Sequence, residues 1–158
     1  DENEDLVLDK EKIADYVKTL GAKYDTVGTE RTFETYDNRQ ISVSGGNYGW
    51  VIDQEKEAEA LYQEIISKKI QVRKPEYKQS GMSRNTNDIG YTYVEIDLPA
   101  QRLVVYQDGT PVADTGISAG SGTETGVYMV GEMKSPAEVN GGTVNFWTSL
   151  RRKCRNFG

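Results

Sequence analysis

With 158 residues the chain has material for one ordinary core or two small ones, and small domains bury the lesser share of their surface, so neither half is expected to be very stable alone. Its 19 Lys and Arg against 25 Asp and Glu leave a net charge of −6, which repels polyanions; no basic tract overrides that sign, so no nucleic acid is expected as a partner. Histidine is absent, which removes Ser/His and Cys/His dyads, His-ligated zinc and any imidazole base titrating near neutrality.

The acidic run Asp1-Glu2-Asn3-Glu4-Asp5 reads as a solvated linker. Asp9 then caps a helix with Ile13, Ala14, Val17 and Leu20 on one face, and Gly21 is placed to end it in a left-handed conformation. From Arg31 to Ser44, Phe33, Ile41 and Val43 flank the polar turn Asp37-Asn38 as in a hairpin, and Gly45-Gly46 marks a break. Asp53 caps a second helix in which Ala58, Leu61, Tyr62, Ile65 and Ile66 recur at helical spacing. Pro75 restricts the extended piece Val72 to Tyr77 to an edge or irregular strand, and the polar stretch Gln79 to Asn87 reads as the domain boundary.

From Tyr91 onward the pattern is an antiparallel meander. Val94, Ile96 and Leu98 alternate with Glu95 and Asp97, Pro99-Ala100 turns the chain, and Leu103 to Tyr106 supplies the partner strand. Asp108-Gly109 is a hairpin turn into Val112 to Ile117. A Gly/Ser/Thr loop from Ala119 to Gly126 leads into a strand over Val127 to Val130, and Asn140-Gly141-Gly142 precedes an apolar run at Val144 to Trp147. The tail Arg151-Arg152-Lys153-Cys154-Arg155 has no periodicity and reverses the local charge, so it reads as foreign to the domain and as a solvated end. The expected class is α+β: a small N-terminal α+β domain over 1–87 and an antiparallel β portion over 88–158.

Chemistry is sparse along the chain. The loop from Gly120 to Gly126 lacks the Gly-Lys-Ser/Thr ending of a phosphate loop and has strands rather than a helix around it, so it reads as structural. Glu95 and Asp97 imitate an acid/base pair, but residues two apart on a solvated strand face commonly look like this. The single cysteine, Cys154, permits neither an internal disulfide nor a multi-cysteine metal site, and leaves the redox compartment open. Lys153 and Arg155 beside it would lower its pKa on close approach, but without histidine it reads as an inert thiol. Tyr48 and Trp50 across Gly49 are open to two readings, an aromatic platform that stacks on sugar or peptide, or filler beneath the following helix. No cofactor and no metal is implied. No apolar run is long enough to cross a bilayer and no signal pattern is present, yet the chain begins at Asp1 without Met, so membrane contact is expected only through a segment outside this sequence.

The order and spacing of Tyr93-Val94-Glu95-Ile96-Asp97-Leu98, Gln101-Arg102-Leu103, Asp108-Gly109 and Gly120 through Thr125-Gly126-Val127-Tyr128 closely resemble the start of YkuD-type L,D-transpeptidase domains. Glu124 stands where that family often has Pro. Ahead of this, Ile41 through Trp50 and the Glu/Ala-rich helix resemble the peptidoglycan-binding domain that often precedes such transpeptidases. The resemblance implies an extracytoplasmic bacterial protein of the cell wall. It implies peptidoglycan stem peptides as partners and cross-linking by acyl transfer from a donor stem to an amine of a second stem. Tyr48, Trp50, Thr125 and Gly126 are the candidate substrate-binding residues.

That chemistry needs a thiolate activated by an imidazole, since a neutral thiol attacks an amide poorly. The family carries both in a Ser/Thr-His-Gly-Cys segment, with a further His upstream, and the resemblance stops near Leu150 before either. Cys154 lacks the preceding His-Gly, so no catalytic residue is carried over and the chain is expected to be truncated and inactive. A non-catalytic peptidoglycan-binding module is the alternative, and a β-rich adhesion or scaffold protein ranks last because it ignores the ordered motifs. Half a sandwich would expose strand edges, so a homodimer through such an edge is also expected.

Overall fold

The structure, a computed structural model, describes residues 8–84 and 87–149. The acidic start and the basic tail with Cys154 lie outside the described residues. In chain order the elements are α1 (Lys10–Tyr24), β1 (Arg31–Glu34), β2 (Gln40–Val43), β3 (Val51–Ile52), α2 (Gln54–Ile66), β4 (Tyr77–Gln79), β5 (Tyr93–Asp97), β6 (Arg102–Gln107), β7 (Thr110–Gly116), β8 (Met133–Lys134), β9 (Ala137–Val139), β10 (Gly142–Val144) and β11 (Trp147–Thr148). This mixture of helices and antiparallel strands is the α+β class expected.

The described residues divide into two compact units. The first joins the residues up to Val27 with Gly49–Gly90; the second joins Gly28–Tyr48 with those from Tyr91 on. These units are discontinuous in sequence, whereas the division expected at residue 87 runs along the chain. Residues 80–84 and 87–90 fold with the first unit, where Trp50 donates its indole N–H to the carbonyl of Ser83 at 2.6 Å. The β1–β2 hairpin belongs with the second unit, to whose β5 it is tied by charged groups.

In the first unit Asp9 caps α1 as expected, its carboxylate accepting from the N–H groups of Glu11 and Lys12 at 3.0 and 3.3 Å. Gly21 does not end the helix, which runs a further turn to Asp25. It serves instead as a point of close approach: a Cβ there would sit 2.8 Å from the side-chain amide of Gln54 at the start of α2. Asp25 also accepts from the N–H of Ile52 at 2.8 Å, tying α1 to β3, and Val17 and Ile52 form the buried apolar centre of the unit. Each such aliphatic side chain contributes about 1.5–3 kcal/mol by leaving water. α2 begins at its Asp53 cap, but its face departs from the apolar pattern. Glu57 is buried while Ile65 and Ile66 are exposed. Pro75 lies just ahead of β4, which pairs antiparallel with β3.

In the second unit the expected hairpin forms, with Phe33 opposite Ile41 and Asn38 at φ 64° in the turn. β5, β6 and β7 form an antiparallel sheet in that order, with Val104 buried at its centre. Asp108 and Gly109 both have positive φ, the backbone that a two-residue hairpin turn requires. β7 is an edge strand and tolerates Pro111 opposite Tyr106, where the register shifts. The inward face of β5 reverses the expectation. Glu95 is 8% exposed, whereas Val94 and Ile96 are 41% and 36% exposed. The cause is the hairpin, which lays Phe33 edge-on to Tyr93 at 5.5 Å and its polar turn onto Glu95 and Asp97. The strand expected over Val127 to Val130 reduces to one parallel bridge between Gly46 and Val127. The run Val144 to Trp147 is split, because β10 pairs with β9 while β11 pairs with β8.

Candidate functional site

Within the second unit, Gly45–Tyr48 is stitched along its backbone to the end of the Gly/Ser/Thr loop. Val127 donates its N–H to the carbonyl of Gly45 at 3.2 Å, and its own carbonyl accepts from the N–H groups of Asn47 and Tyr48, both at 3.0 Å. Asn47 Oδ1 accepts from the N–H of Met129 at 2.9 Å. These bonds take up both main-chain groups of Val127 and the N–H of Met129. Glycine is required at the crossing. Gly46 has φ 84° and a Cβ there would collide with the carbonyl of Val127, while a Cβ at Gly126 would lie 2.8 Å from the nitrogen of Gly46. Underneath, buried Arg31 donates to the carbonyls of Thr29 and Tyr48 at 3.0 and 3.1 Å.

Three of the four candidate binding residues, Tyr48, Thr125 and Gly126, are thus brought to one crossing. Thr125 is exposed and its carbonyl accepts from the Tyr128 hydroxyl at 3.3 Å. Trp50 belongs to the first unit. Its backbone N–H donates to Thr26 Oγ1 at 2.8 Å, its ring meets Tyr77 edge-on at 4.9 Å, and the Arg84 guanidinium lies 4.3 Å from the ring centre. Much of that ring is therefore engaged by its own unit, close to the filler reading but beside β4 and the 80s loop as well as at the entrance to α2.

The carboxylate pair of β5 is fully committed. Both oxygens of Glu95 accept from the N–H of Tyr36, at 3.1 and 3.0 Å. Burial pushes the Glu95 carboxyl above its ordinary value, the Tyr36 N–H opposes this, and Asp37 and Asp97 add to the upward push. Asp97 accepts from Arg39 at 2.7 Å and from the N–H of Ala100 at 2.9 Å. Arg39 also binds Asp37 at 2.7 Å and, with Thr35, holds that carboxyl below its ordinary range. Tyr93 stacks on Tyr106 at 4.8 Å, and burial pushes its hydroxyl up to about 12. The solvated-face reading of Glu95 is corrected by these contacts, and the pair acts as a clasp rather than as an acid and base. Among the described residues no group of three His, Cys, Asp and Glu side chains could hold a metal. The crossing can offer hydroxyls, backbone groups and an aromatic ring for hydrogen bonding and stacking.

The sequence gives no signal for the buried role of Arg31, and it marks Glu95 only as one of a solvated pair and Gly45-Gly46 only as a break. Two successive glycines permit positive φ and close backbone approach, which is the one local hint of the crossing.

Residues 4–73 match the family described as "Putative peptidoglycan binding domain". Two solved structures resemble the chain. A cysteine-to-serine mutant of the Enterococcus faecium L,D-transpeptidase has 29% identity and a TM-score of 0.75, over 97% of this chain and 65% of that one. The carbamoyl enzyme formed by Ldtfm with avibactam has 30% identity and a TM-score of 0.72, over 94% of this chain and 62% of that one. The chain thus spans somewhat under two thirds of the length of those structures. No curated protein matches it significantly. The architecture is that of L,D-transpeptidases, with a peptidoglycan-binding-type domain at the N-terminal side, and the resemblance read from the motifs is borne out. No helix among the described residues is long and apolar enough to cross a membrane.

Proposed function

We propose that this chain is the peptidoglycan-engaging part of an L,D-transpeptidase: a wall-binding domain over 1–87 followed by the opening half of the catalytic β domain over 88–158. The observation that carries the reading is the likeness to the Enterococcus faecium enzyme at a TM-score of 0.75 over 97% of the chain. The 158 residues contain no histidine to activate a thiol, so alone they bind without transferring acyl groups. Stem peptides are the ligand, with Tyr48, Thr125, Gly126 and Trp50 as contacts, and the setting is the extracytoplasmic wall. Pairing through the open edge of β7 makes a homodimer.

The match over residues 4–73 favours a second reading, a non-catalytic peptidoglycan-binding module that needs no active site. Co-sedimentation with purified sacculi tests what the two readings share: the chain is expected in the pellet, and a chain left in the supernatant would sink both. Mixing it with donor and acceptor stem peptides is expected to give no cross-linked product, and product formation would overturn the inactive assignment. Light scattering over a wide concentration range tests the dimer, which a strict monomer would exclude.

A further inference from the structure

The segment after α2 inverts the usual arrangement of polar and apolar side chains. Glu64 Oε1 accepts from Gln71 Nε2 at 2.7 Å and from Arg73 Nε at 2.6 Å, and Arg73 Nη1 donates to buried Glu57 at 2.8 Å. Gln71 and Arg73 therefore grip the helix, while the alternate residues Ile70 and Val72 are 100% and 105% exposed. A chain folding only for its own stability would bury those two side chains, because exposing them forgoes the transfer of their apolar surface from water. Ile65 and Ile66, in the last turn of the same helix, are exposed as well. Lys68, Lys69 and Lys74 flank these apolar residues in sequence and are exposed, and the acidic Glu64 beside them is taken up by Gln71 and Arg73. The charge of Arg73 is consumed by Glu57 and Glu64.

We infer that this lysine-flanked apolar segment docks on an anionic lipid bilayer, with Ile70 and Val72 entering the headgroup boundary and Lys68, Lys69 and Lys74 meeting lipid phosphates. The complementarity is one of charge and of polarity. A soluble polyanion would use the lysines but would leave two fully exposed aliphatic side chains without a role, whereas an interfacial site uses both. The net charge of −6 does not forbid this, because at physiological salt charges more than about 8 Å from the surface are largely screened and the local lysines dominate. The inference rests on other residues and another ligand than the wall-binding proposal does.

The test is sedimentation of the intact chain with phosphatidylglycerol vesicles and, in parallel, with phosphatidylcholine vesicles. Binding to the former alone is expected, weakening as salt is raised. Replacing either Lys68 or Lys74 by Ala is expected to lower the partition coefficient roughly fivefold, as for one basic charge at an anionic surface. The pair Ile70→Ser and Val72→Ser is expected to lower it about tenfold or more. Circular dichroism should show these variants folded, because none of the replaced side chains is buried. Absence of binding to phosphatidylglycerol, or wild-type binding by the serine pair, overturns the proposal. Release of the serine pair and the parent alike by soluble polyphosphate would reassign the lysines to a polyanion and also overturn it.

Discussion

Among the described residues each unit buries one glutamate, and the two do so by different means. In the first, Glu57 lies between the Arg73 guanidinium at 2.8 Å and the N–H of Glu76, also at 2.8 Å, so its charge is matched by a cation and its lone pairs by donors. In the second, Glu95 has only the N–H of Tyr36, shared between its two oxygens, while Arg39 is turned to Asp37 and Asp97. The first arrangement keeps a charge by pairing it. The second leaves a carboxyl whose charged form is penalised, and so makes the clasp between hairpin and sheet responsive to pH.

The largest effect should come from breaking the paired glutamate. Arg73→Met leaves Glu57 buried without its cation, and unfolding in urea is expected to show a loss of about 3 kcal/mol, at the low end for buried pairs because the guanidinium reaches solvent. The double variant with Glu57→Leu should recover most of it, since replacing both charges by apolar groups is close to neutral. A loss from Arg73→Met no larger than that of an exposed pair would erase the contrast between the units.

Next in size is Gly46→Ala in the second unit. Its φ of 84° alone costs an L-residue about 1–2 kcal/mol, and the collision with Val127 adds to this. Gly28→Ala is the control, with φ 75° and open space around its Cβ, and should show only the backbone cost. Equal shifts in midpoint for the two variants would mean that the crossing yields without strain.

How far such features could be read from the sequence depends on their range. Asp9 and Asp53 were legible as caps, Asp37-Asn38 and Asp108-Gly109 as turns, because each depends on the few residues beside it. The inward face of β5 was not, because alternation of Val94, Ile96, Glu95 and Asp97 marks two faces without saying which is covered. That was decided by Tyr36 and Arg39, almost sixty residues earlier. The same limit hid Gly21, a helix end by local rules and a contact point by the position of Gln54. Of the candidate site, Tyr48, Thr125 and Gly126 meet because Gly45-Gly46 lets two loops touch, a pairing over roughly eighty residues that periodicity does not register.

A smaller effect sharpens the contrast through pH. The folded Glu95 carboxyl lies above its ordinary value, so between the unfolded and folded values the native state holds more protons. Its stabilising contribution is therefore full at acid pH and falls as pH rises through that window. The lowered carboxyls Asp37 and Asp114 act in the opposite sense and in a lower window, losing their contribution as pH falls through their folded values. Glu95→Gln should remove the loss on the rising side and cost no more than about 1 kcal/mol at acid pH, the worth of one hydrogen bond. An unchanged pH dependence of Tm in that variant would assign the slope to another group.

The smallest effect on stability is expected where the first unit exposes apolar side chains. Ile70→Ser should change the urea midpoint by an amount worth less than about 0.5 kcal/mol, since the side chain is fully exposed and has no buried surface to lose. The outcome matters for the inverted segment as a whole. Stability unmoved by Ile70→Ser, set beside a large loss from Arg73→Met a few residues on, would mean that the segment is anchored by its polar side chains alone. A marked loss from the serine variant would instead place Ile70 against its own chain, and the exposed segment would then be part of the fold rather than a surface held out for a ligand.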